Sequence, residues 1–151
     1  MQVPRRLAGV IVLALLGVLS AQAQRHPDSI GVGFAAGRPS GLTAKLYRPN
    51  LVAYDALLTT DLEELVRGAV HRVWERPLPD SPLFVYVGPG LIAGLEELNR
   101  TPLVRLGVGG KAGLNFYAER FEVFLHVTPR VRFLPTLDGD LGGGVGLRYY
   151  F

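Results

Sequence analysis

The sequence predicts an all-β protein, an eight-stranded antiparallel transmembrane β-barrel that follows a cleaved signal peptide. Three observations carry this prediction. The N-terminus has the layout of a secretory leader, most of the remaining chain alternates apolar with small or polar residues, and short turns rich in glycine and proline separate the alternating segments. The chain has no cysteine, so disulfides, Cys-based zinc sites and thiol nucleophiles are excluded.

Residues 1–23 are predicted to be the signal peptide. Arg5 and Arg6 precede an apolar run of about 13 residues, and residues 21–23 form a small-x-small cleavage site. The apolar run is shorter than the roughly 20 residues of a spanning helix, which favours a cleaved leader over an uncleaved anchor. The barrel domain is then expected to cover residues 24–151, which is enough for eight strands of roughly ten residues with short connections.

The C-terminal segment shows the alternation most clearly. In residues 141–151 one parity is apolar and ends in aromatic side chains, while the other is small or polar. Because successive side chains of a strand point to opposite faces, this segment predicts a strand with one apolar face. That face comprises Leu141, Val145, Leu147, Tyr149 and Phe151.

The other predicted strands repeat this pattern. Apolar residues of one parity alternate with small, charged or hydroxyl residues in segments 30–35, 42–47, 52–59, 83–91, 104–117 and 121–133. In the last segment Phe124 falls on the otherwise polar face. Pro129 argues against a regular central strand there, and a bulge or an irregular ladder would accommodate it.

Residues 61–74 allow two interpretations. The apolar residues recur at the spacing of an amphipathic helix, and Thr60 with Glu63 has the spacing of a capping box. As a strand, the segment places Val66, Val70 and Trp74 on one face and leaves Arg72 pointing outward beside them. The helix is slightly favoured locally, but closure of the barrel needs an even number of strands, so we predict a strand.

The polar parity is predicted to face the interior of the barrel. A membrane barrel places its apolar face toward lipid and its polar face toward the lumen, and a soluble barrel reverses this. Glycines lie mainly on the polar parity, where they make room for large side chains, and charges of both signs occur there and can pair. The predicted lumenal polar network is Lys45, Asp55, Arg67, Arg105, Lys111, Glu122, His126, Arg130, Arg132 and Arg148.

The chain resembles a known family on these segments. Its end, Gly146-Leu-Arg-Tyr-Tyr-Phe151, resembles that of bacterial outer-membrane β-barrels, and residues 31–45, 53–56, 85–90 and 142–151 are similar to small, uncharacterised barrels of the OmpA-like eight-stranded type. The resemblance implies an outer-membrane location, surrounding membrane lipid, and a C-terminal signal read by the barrel-insertion machinery. That signal would comprise Leu147, Tyr149 and Phe151. The resemblance supplies no catalytic residues.

The predicted function is that of an integral outer-membrane protein without enzymatic activity, with a plugged polar lumen and a structural or surface-interaction role. Neither cofactor nor metal is expected, because the glycine-rich segments 107–110 and 142–146 open no βαβ unit and the histidines lack metal-ligand spacing. A nucleic-acid partner is not expected, because the chain has no basic patch with interleaved aromatics. The oligomeric state is left open.

Two alternatives are kept. The first is a soluble periplasmic β-barrel that binds a small apolar ligand, which would require the opposite orientation of the two faces. The second is a lipid-A-modifying barrel enzyme, in which His126 would act as the base for Thr128 two residues further on. The position of this pair on the polar face, away from lipid, argues against catalysis.

Overall fold

The computed structural model describes residues 29–60, 66–99 and 101–151, and the predicted signal peptide lies outside this part of the chain. These residues form a closed barrel of eight antiparallel strands, as the sequence predicts. The strands are β1 (Ile30–Arg38), β2 (Gly41–Arg48), β3 (Val52–Thr59), β4 (Val66–Pro77), β5 (Leu83–Leu98), β6 (Thr101–Ala118), β7 (Phe121–Leu134) and β8 (Asp138–Tyr150). None of the described residues forms a helix long and apolar enough to span a bilayer.

Each strand pairs with the next along the chain, and β8 closes the barrel on β1. The closing ladder runs from Gly31↔Tyr150 to Arg38↔Gly143. Because both edges of every strand are occupied, the ladders can satisfy the backbone donors and acceptors without water, which a bilayer requires. The end that carries residues 49–51, 119–120 and the C-terminus is called the C-terminal end, and the other is called the opposite end.

The strand interpretation of residues 61–74 is confirmed from Val66 onward, and residues 61–65 lie outside the described part of the chain. β4 pairs with β3 from Val52↔Trp74 to Thr59↔Arg67. The helical spacing of its apolar residues is overridden because a strand at this position is needed between β3 and β5, whose edges would otherwise lack partners.

Two ladders are interrupted near prolines. The paired positions of β6 and β7 pass from Gly109↔Arg130 directly to Ala112↔Val127, and Pro129 lies in the gap. The pairs of β4 and β5 likewise skip from His71↔Gly90 to Trp74↔Val87, next to Pro89. Proline has no N–H to donate to a ladder, so pairing is interrupted at Pro129 and, two hairpins earlier, next to Pro89. The register shift of the β6–β7 ladder lies elsewhere, between Leu106 and Gly107.

The barrel is apolar outside and polar inside. Its outer wall carries large exposed apolar side chains on every strand, including Phe34, Leu42, Leu58, Val70, Leu91, Val108, Leu125 and Val145. The buried polar side chains are Thr43, Lys45, Asp55, Thr59, His71, Glu75, Lys111, Asn115, Glu122, His126, Thr128 and Arg148. This orientation is that of a transmembrane barrel and the reverse of what a soluble barrel requires.

Candidate functional site

A cluster of paired charges occupies the lumen toward the C-terminal end. We call it the lumenal ion cluster, and it consists of Lys45, Asp55, Glu75, Lys111, Glu122 and Arg148. Its three cations and three carboxylates come from six different strands, β2, β3, β4, β6, β7 and β8. Every member is almost fully inaccessible to solvent, so the charges are matched inside the barrel rather than by water.

Arg148 joins both sides of the cluster. Its Nη2 donates to Oδ2 of Asp55 at 2.5 Å and its Nη1 to Oε2 of Glu122 at 3.1 Å. Its Nε and Nη2 both donate to Oγ1 of Thr43, at 3.0 and 2.7 Å. The planar guanidinium has its donors in a fixed fork and can bind several acceptors in one plane, which a lysine at this position could not do.

Lys45 links the other carboxylates. Its ammonium forms ion pairs with Glu75 and, at 2.9 Å, with Oε1 of Glu122, and it donates to the hydroxyl of Tyr117 at 2.9 Å. Asn115 Nδ2 donates to Oε1 of Glu75 at 2.7 Å. An ion pair that is buried gains stability only where further hydrogen bonds satisfy its remaining atoms, and these neutral side chains supply them.

The cluster is completed by two further contacts. Lys111 Nζ pairs with Oδ1 of Asp55 at 2.6 Å, on the oxygen that Arg148 leaves free. The Tyr150 hydroxyl donates to Oε2 of Glu122 at 2.6 Å. Each carboxylate therefore accepts from more than one side chain, and the members form one connected network.

Aromatic rings cover the cations from within the lumen. The Arg148 guanidinium lies 3.9 Å from the ring centroid of Phe124, and the Lys45 ammonium lies 5.5 Å from that of Tyr86. Phe124, which breaks the sequence pattern of β7, is thus a buried lumenal residue that contributes a cation–π contact. Its position explains why a large apolar residue occurs on the polar parity.

Glycines provide the space that these rings occupy. A Cβ on Gly146 would overlap the Phe124 ring, and a Cβ on Gly113 would overlap the Leu125 carbonyl oxygen and lie 2.6 Å from the hydroxyl oxygen of Tyr86. Neither position can take a Cβ without displacing a neighbour. The excess of glycine on the polar parity is therefore required, at these two positions, by the crowding of the lumen.

The lumen toward the opposite end is less densely paired. His71 and His126 are buried, and their ring nitrogens have no hydrogen-bond partner among the described residues, nor has Oγ1 of Thr128. A cavity of about 20 Å³ is lined by His71 and Thr128 together with Thr59, Ile92 and Arg130. That volume is about the size of one water molecule.

Ion pairs continue toward the opposite mouth of the barrel. Arg130 pairs with Asp140 at 2.5 Å, Arg132 with Asp138, and Arg105 with Glu96. These side chains are partly exposed, in contrast to the lumenal ion cluster. Pairs of this kind contribute less than about 1 kcal/mol each.

The structure brings together five of the ten predicted lumenal residues. Lys45, Asp55, Lys111, Glu122 and Arg148 belong to the lumenal ion cluster, and His126 is buried farther along the lumen. Arg67, Arg105, Arg130 and Arg132 are half-buried and lie nearer the opposite mouth.

Sequence reasoning missed Glu75 and the neutral partners Thr43, Tyr117 and Tyr150. Glu75 could have been found from the inward parity of His71 and Val73, because it is the next inward position and lies one residue beyond the predicted end of the strand. The neutral partners lie on the polar parity of their own strands, but their roles depend on which strands meet across the lumen.

His126 and Thr128 are not hydrogen-bonded to each other in this structure. A base that activates a hydroxyl nucleophile lies within hydrogen-bond distance of it, so this arrangement does not support the predicted alternative of a His126–Thr128 pair. Among the residues that the structure describes, no group of three or more histidine or acidic side chains could hold a metal ion.

The C-terminal strand carries an aromatic cluster on the outer wall. The ring of Tyr149 packs edge-on against Phe121 and against Phe151, with 5.2 Å between centroids in both pairs. The Phe151 amide donates to the Ile30 carbonyl at 3.1 Å, which extends the closing ladder by one residue. Aromatic rings at one rim of the outer wall are typical of the interfacial girdles of membrane barrels.

A closed eight-stranded barrel with a lipid-compatible outer wall and an ionised interior is a transmembrane β-barrel. Its fold is similar to that of the N-terminal β-barrel domain of OprF from Pseudomonas aeruginosa, with a TM-score of 0.66 and 15% identity over 84% of this chain and 100% of that domain. Neisserial surface protein A (NspA) aligns with a TM-score of 0.44 and 14% identity over 82% of this chain and 94% of that one. The sequence matches no protein-family model and no curated protein.

Proposed function

We propose that the protein is a non-enzymatic integral protein of the bacterial outer membrane, delivered there by its leader and closed to solute flow by the lumenal ion cluster. The observation that carries this proposal is the connected network of three buried cations and three buried carboxylates, which spans the lumen between six strands. The interior of an eight-stranded barrel is narrow, so side chains of this size fill it.

The outer wall supports the membrane location. Exposed leucine, valine and phenylalanine side chains surround the barrel, and a contiguous apolar surface of this extent would be a liability in water. The similarity to the OprF β-barrel domain supports the same fold.

The β5–β6 hairpin supports a surface-interaction role. Its strands have 16 and 18 residues, whereas about 9–11 residues suffice to cross a bilayer. β7 pairs with β6 only as far as Leu134↔Leu106, but the β5–β6 ladder continues to Leu98↔Thr101. The hairpin tip therefore extends past β7 at the opposite end, where it would be available to a partner outside the membrane.

Fractionation and conductance measurements test this proposal together. We expect the protein in the outer-membrane fraction, with heat-modifiable migration on a gel, and we expect no stable conductance after reconstitution into planar bilayers. Recovery from the soluble periplasm without detergent would contradict the membrane location. Long-lived open channels in most insertions would contradict the plugged lumen while leaving the location intact.

The absence of enzymatic activity is tested on the lipid. We expect lipid A from cells that express the protein to have the same masses as lipid A from cells that do not. A new deacylated species that disappears in the His126→Ala variant would overturn this part of the proposal. A new species that persists in His126→Ala would contradict it too and would place the activity elsewhere in the chain.

A further inference from the structure

Arg72 is an unusual residue on the outer wall. It points outward from β4 and lies five residues before the end of that strand. Among the described strand residues, the other outward-facing charges, Arg38, Arg48, Arg76 and Glu97, lie at or next to the end of a strand. No carboxylate in the described part of the chain forms an ion pair with Arg72. A cation is thus held within an otherwise apolar surface.

Two amphipathic aromatic residues flank this arginine. The guanidinium of Arg72 lies 5.3 Å from the ring centroid of Trp74, and Tyr54 is its directly paired neighbour on β3. Both rings are exposed on the outer wall. Tryptophan and tyrosine are enriched where hydrocarbon meets lipid headgroups, so Arg72 lies at the depth of a headgroup layer.

An apolar groove of about 940 Å³ begins at Arg72 and crosses the outer wall. Its floor is formed by Pro89, Gly110 and Pro129, which are adjacent outward positions on β5, β6 and β7. Side chains with little bulk leave a depression there, and it coincides with the two interrupted ladders. Its sides are formed by Val70, Leu91, Val108 and Val131.

The groove runs diagonally from one membrane surface toward the bilayer interior. Tyr54, at the Arg72 end, is the third residue of β3 at the C-terminal end of the barrel. Pro129 lies in the middle of β7, and its partner Leu141 is the fourth residue of β8 from the opposite end. The row of neighbouring positions from Tyr54 on β3 to Leu141 on β8 therefore moves away from the C-terminal end with each strand. This happens because the strands of a closed barrel are tilted.

We propose that this groove binds one phospholipid of the leaflet at the C-terminal end, with the phosphate on Arg72 and an acyl chain over Pro89, Gly110 and Pro129. The charge of the arginine selects the phosphate, and the apolar floor, continuous with the lipid-facing wall, selects the chain. The groove has the volume of a small-molecule site. The proposal rests on the membrane location proposed above.

Trp74 supplies a direct test because it is the only tryptophan in the chain and contacts Arg72. The folded barrel in uncharged detergent is titrated with phosphatidylglycerol brominated on its acyl chains, or with diacylglycerol carrying the same chains. We expect phosphatidylglycerol to reach half-maximal quenching of Trp74 at an about fivefold lower mole fraction than diacylglycerol. This is the preference for an anionic headgroup that one arginine provides.

Matched variants locate the effect. Arg72→Gln is expected to remove the preference, and Arg38→Gln, on β1 at the opposite end, to keep it. Gly110→Leu fills the floor of the groove and is expected to weaken quenching, since a Cβ there meets its nearest atom, Cγ of Pro129, at 3.7 Å and is tolerated. Gly68→Leu, at an outward position with no atom within 4 Å of its Cβ, is the control.

Three outcomes would overturn the proposal. They are a preference below about twofold in the unchanged protein, a preference that survives Arg72→Gln, or a change of oligomeric state in Gly110→Leu, which would make the groove an interface between copies. Heat-modifiable migration of every variant verifies folding. The titration is done in micelles, so its result does not depend on where the protein is located in the cell. Fractionation tests the membrane location separately, and the failure of one proposal is therefore distinguishable from the failure of the other.

Discussion

Arg148 on β8 and Asp55 on β3 form an ion pair across the lumen, with 2.5 Å between Nη2 and Oδ2, although β1 and β2 separate their strands in the barrel wall. Both side chains are almost completely buried. The pair connects opposite parts of the barrel directly, so we expect the cluster around it to brace the wall from inside.

Removing Arg148 is expected to destabilise the barrel strongly. Arg148→Ala leaves Asp55 and Glu122 with less compensation in a buried site, and breaking such a pair costs about 3–5 kcal/mol. Urea titration of the folded protein in lipid vesicles, followed by the fluorescence of Trp74, measures the change in unfolding free energy. Arg38→Ala, an exposed arginine at the end of β1, is the control and is expected to change it by less than about 0.5 kcal/mol. Equal effects of the two variants would contradict the bracing role.

Lys111 and Asp55 are expected to be energetically coupled. A double-mutant cycle with Lys111→Met and Asp55→Asn is expected to give an interaction energy of about 1–3 kcal/mol, because the two atoms are 2.6 Å apart and buried. The same urea titration provides the four free energies. The partly exposed pair Arg132–Asp138 is the comparison and is expected to give less than about 1 kcal/mol. Additive effects for Lys111 and Asp55 would count against a buried ion pair.

Gly146 is expected to tolerate no side chain. Gly146→Ala places a methyl group against the Phe124 ring and is expected to cost about 1–3 kcal/mol, as overpacking of a filled interior does. Gly68→Ala has open space around its Cβ and serves as the control. Combining Gly146→Ala with Phe124→Leu is expected to return part of the lost stability. No difference between the alanine variants at 146 and 68 would show that the lumen is not crowded there.

The C-terminal residues are expected to direct assembly. We propose that Leu147, Tyr149 and Phe151 form the signal for the insertion machinery, since all three lie on the outward parity of the closing strand and its extension. Deleting Phe151 is expected to reduce the heat-modifiable form in the membrane severalfold. Phe133→Ala, which removes an exposed aromatic residue near the end of β7, is expected to have little effect. Normal assembly without Phe151 would contradict the signal.

Most of what the sequence could predict follows from the alternation of inward and outward side chains along each strand. This alternation assigned strands, sidedness and the inward position of Lys45, Lys111 and Arg148, because a side chain's face depends only on its own strand. The partner of each charge depends instead on the stagger between strands and on closure, as the pairing of Arg148 with Asp55, 93 positions apart, illustrates. Local periodicity does not encode that stagger.

The same limit applies to the outer wall. The sequence marked Arg72 as outward and Pro129 as irregular, but it could not place them along one groove, because β5 and β6 lie between their strands. For residues 66–74 the local signal was misleading, because the strand turns Val66 and Val70 outward and Ala69 and Val73 inward. The apolar residues that have helical spacing are therefore divided between the two faces. This segment is a strand because closure of the barrel requires a partner for the edges of β3 and β5.

The distribution of the lumenal ion cluster along the chain has a consequence for assembly. Its members enter in the order Lys45, Asp55, Glu75, Lys111, Glu122 and Arg148, so the cluster has one excess negative charge after Glu75 and again after Glu122. Arg148, on the last strand, balances the second of these charges. Without β8, the cluster would retain one uncompensated buried carboxylate, and Arg130 and Arg132 would lose their partners Asp140 and Asp138. Uncompensated charge is costly where water is excluded, so we expect the buried charges to be matched only once the final strand is in place.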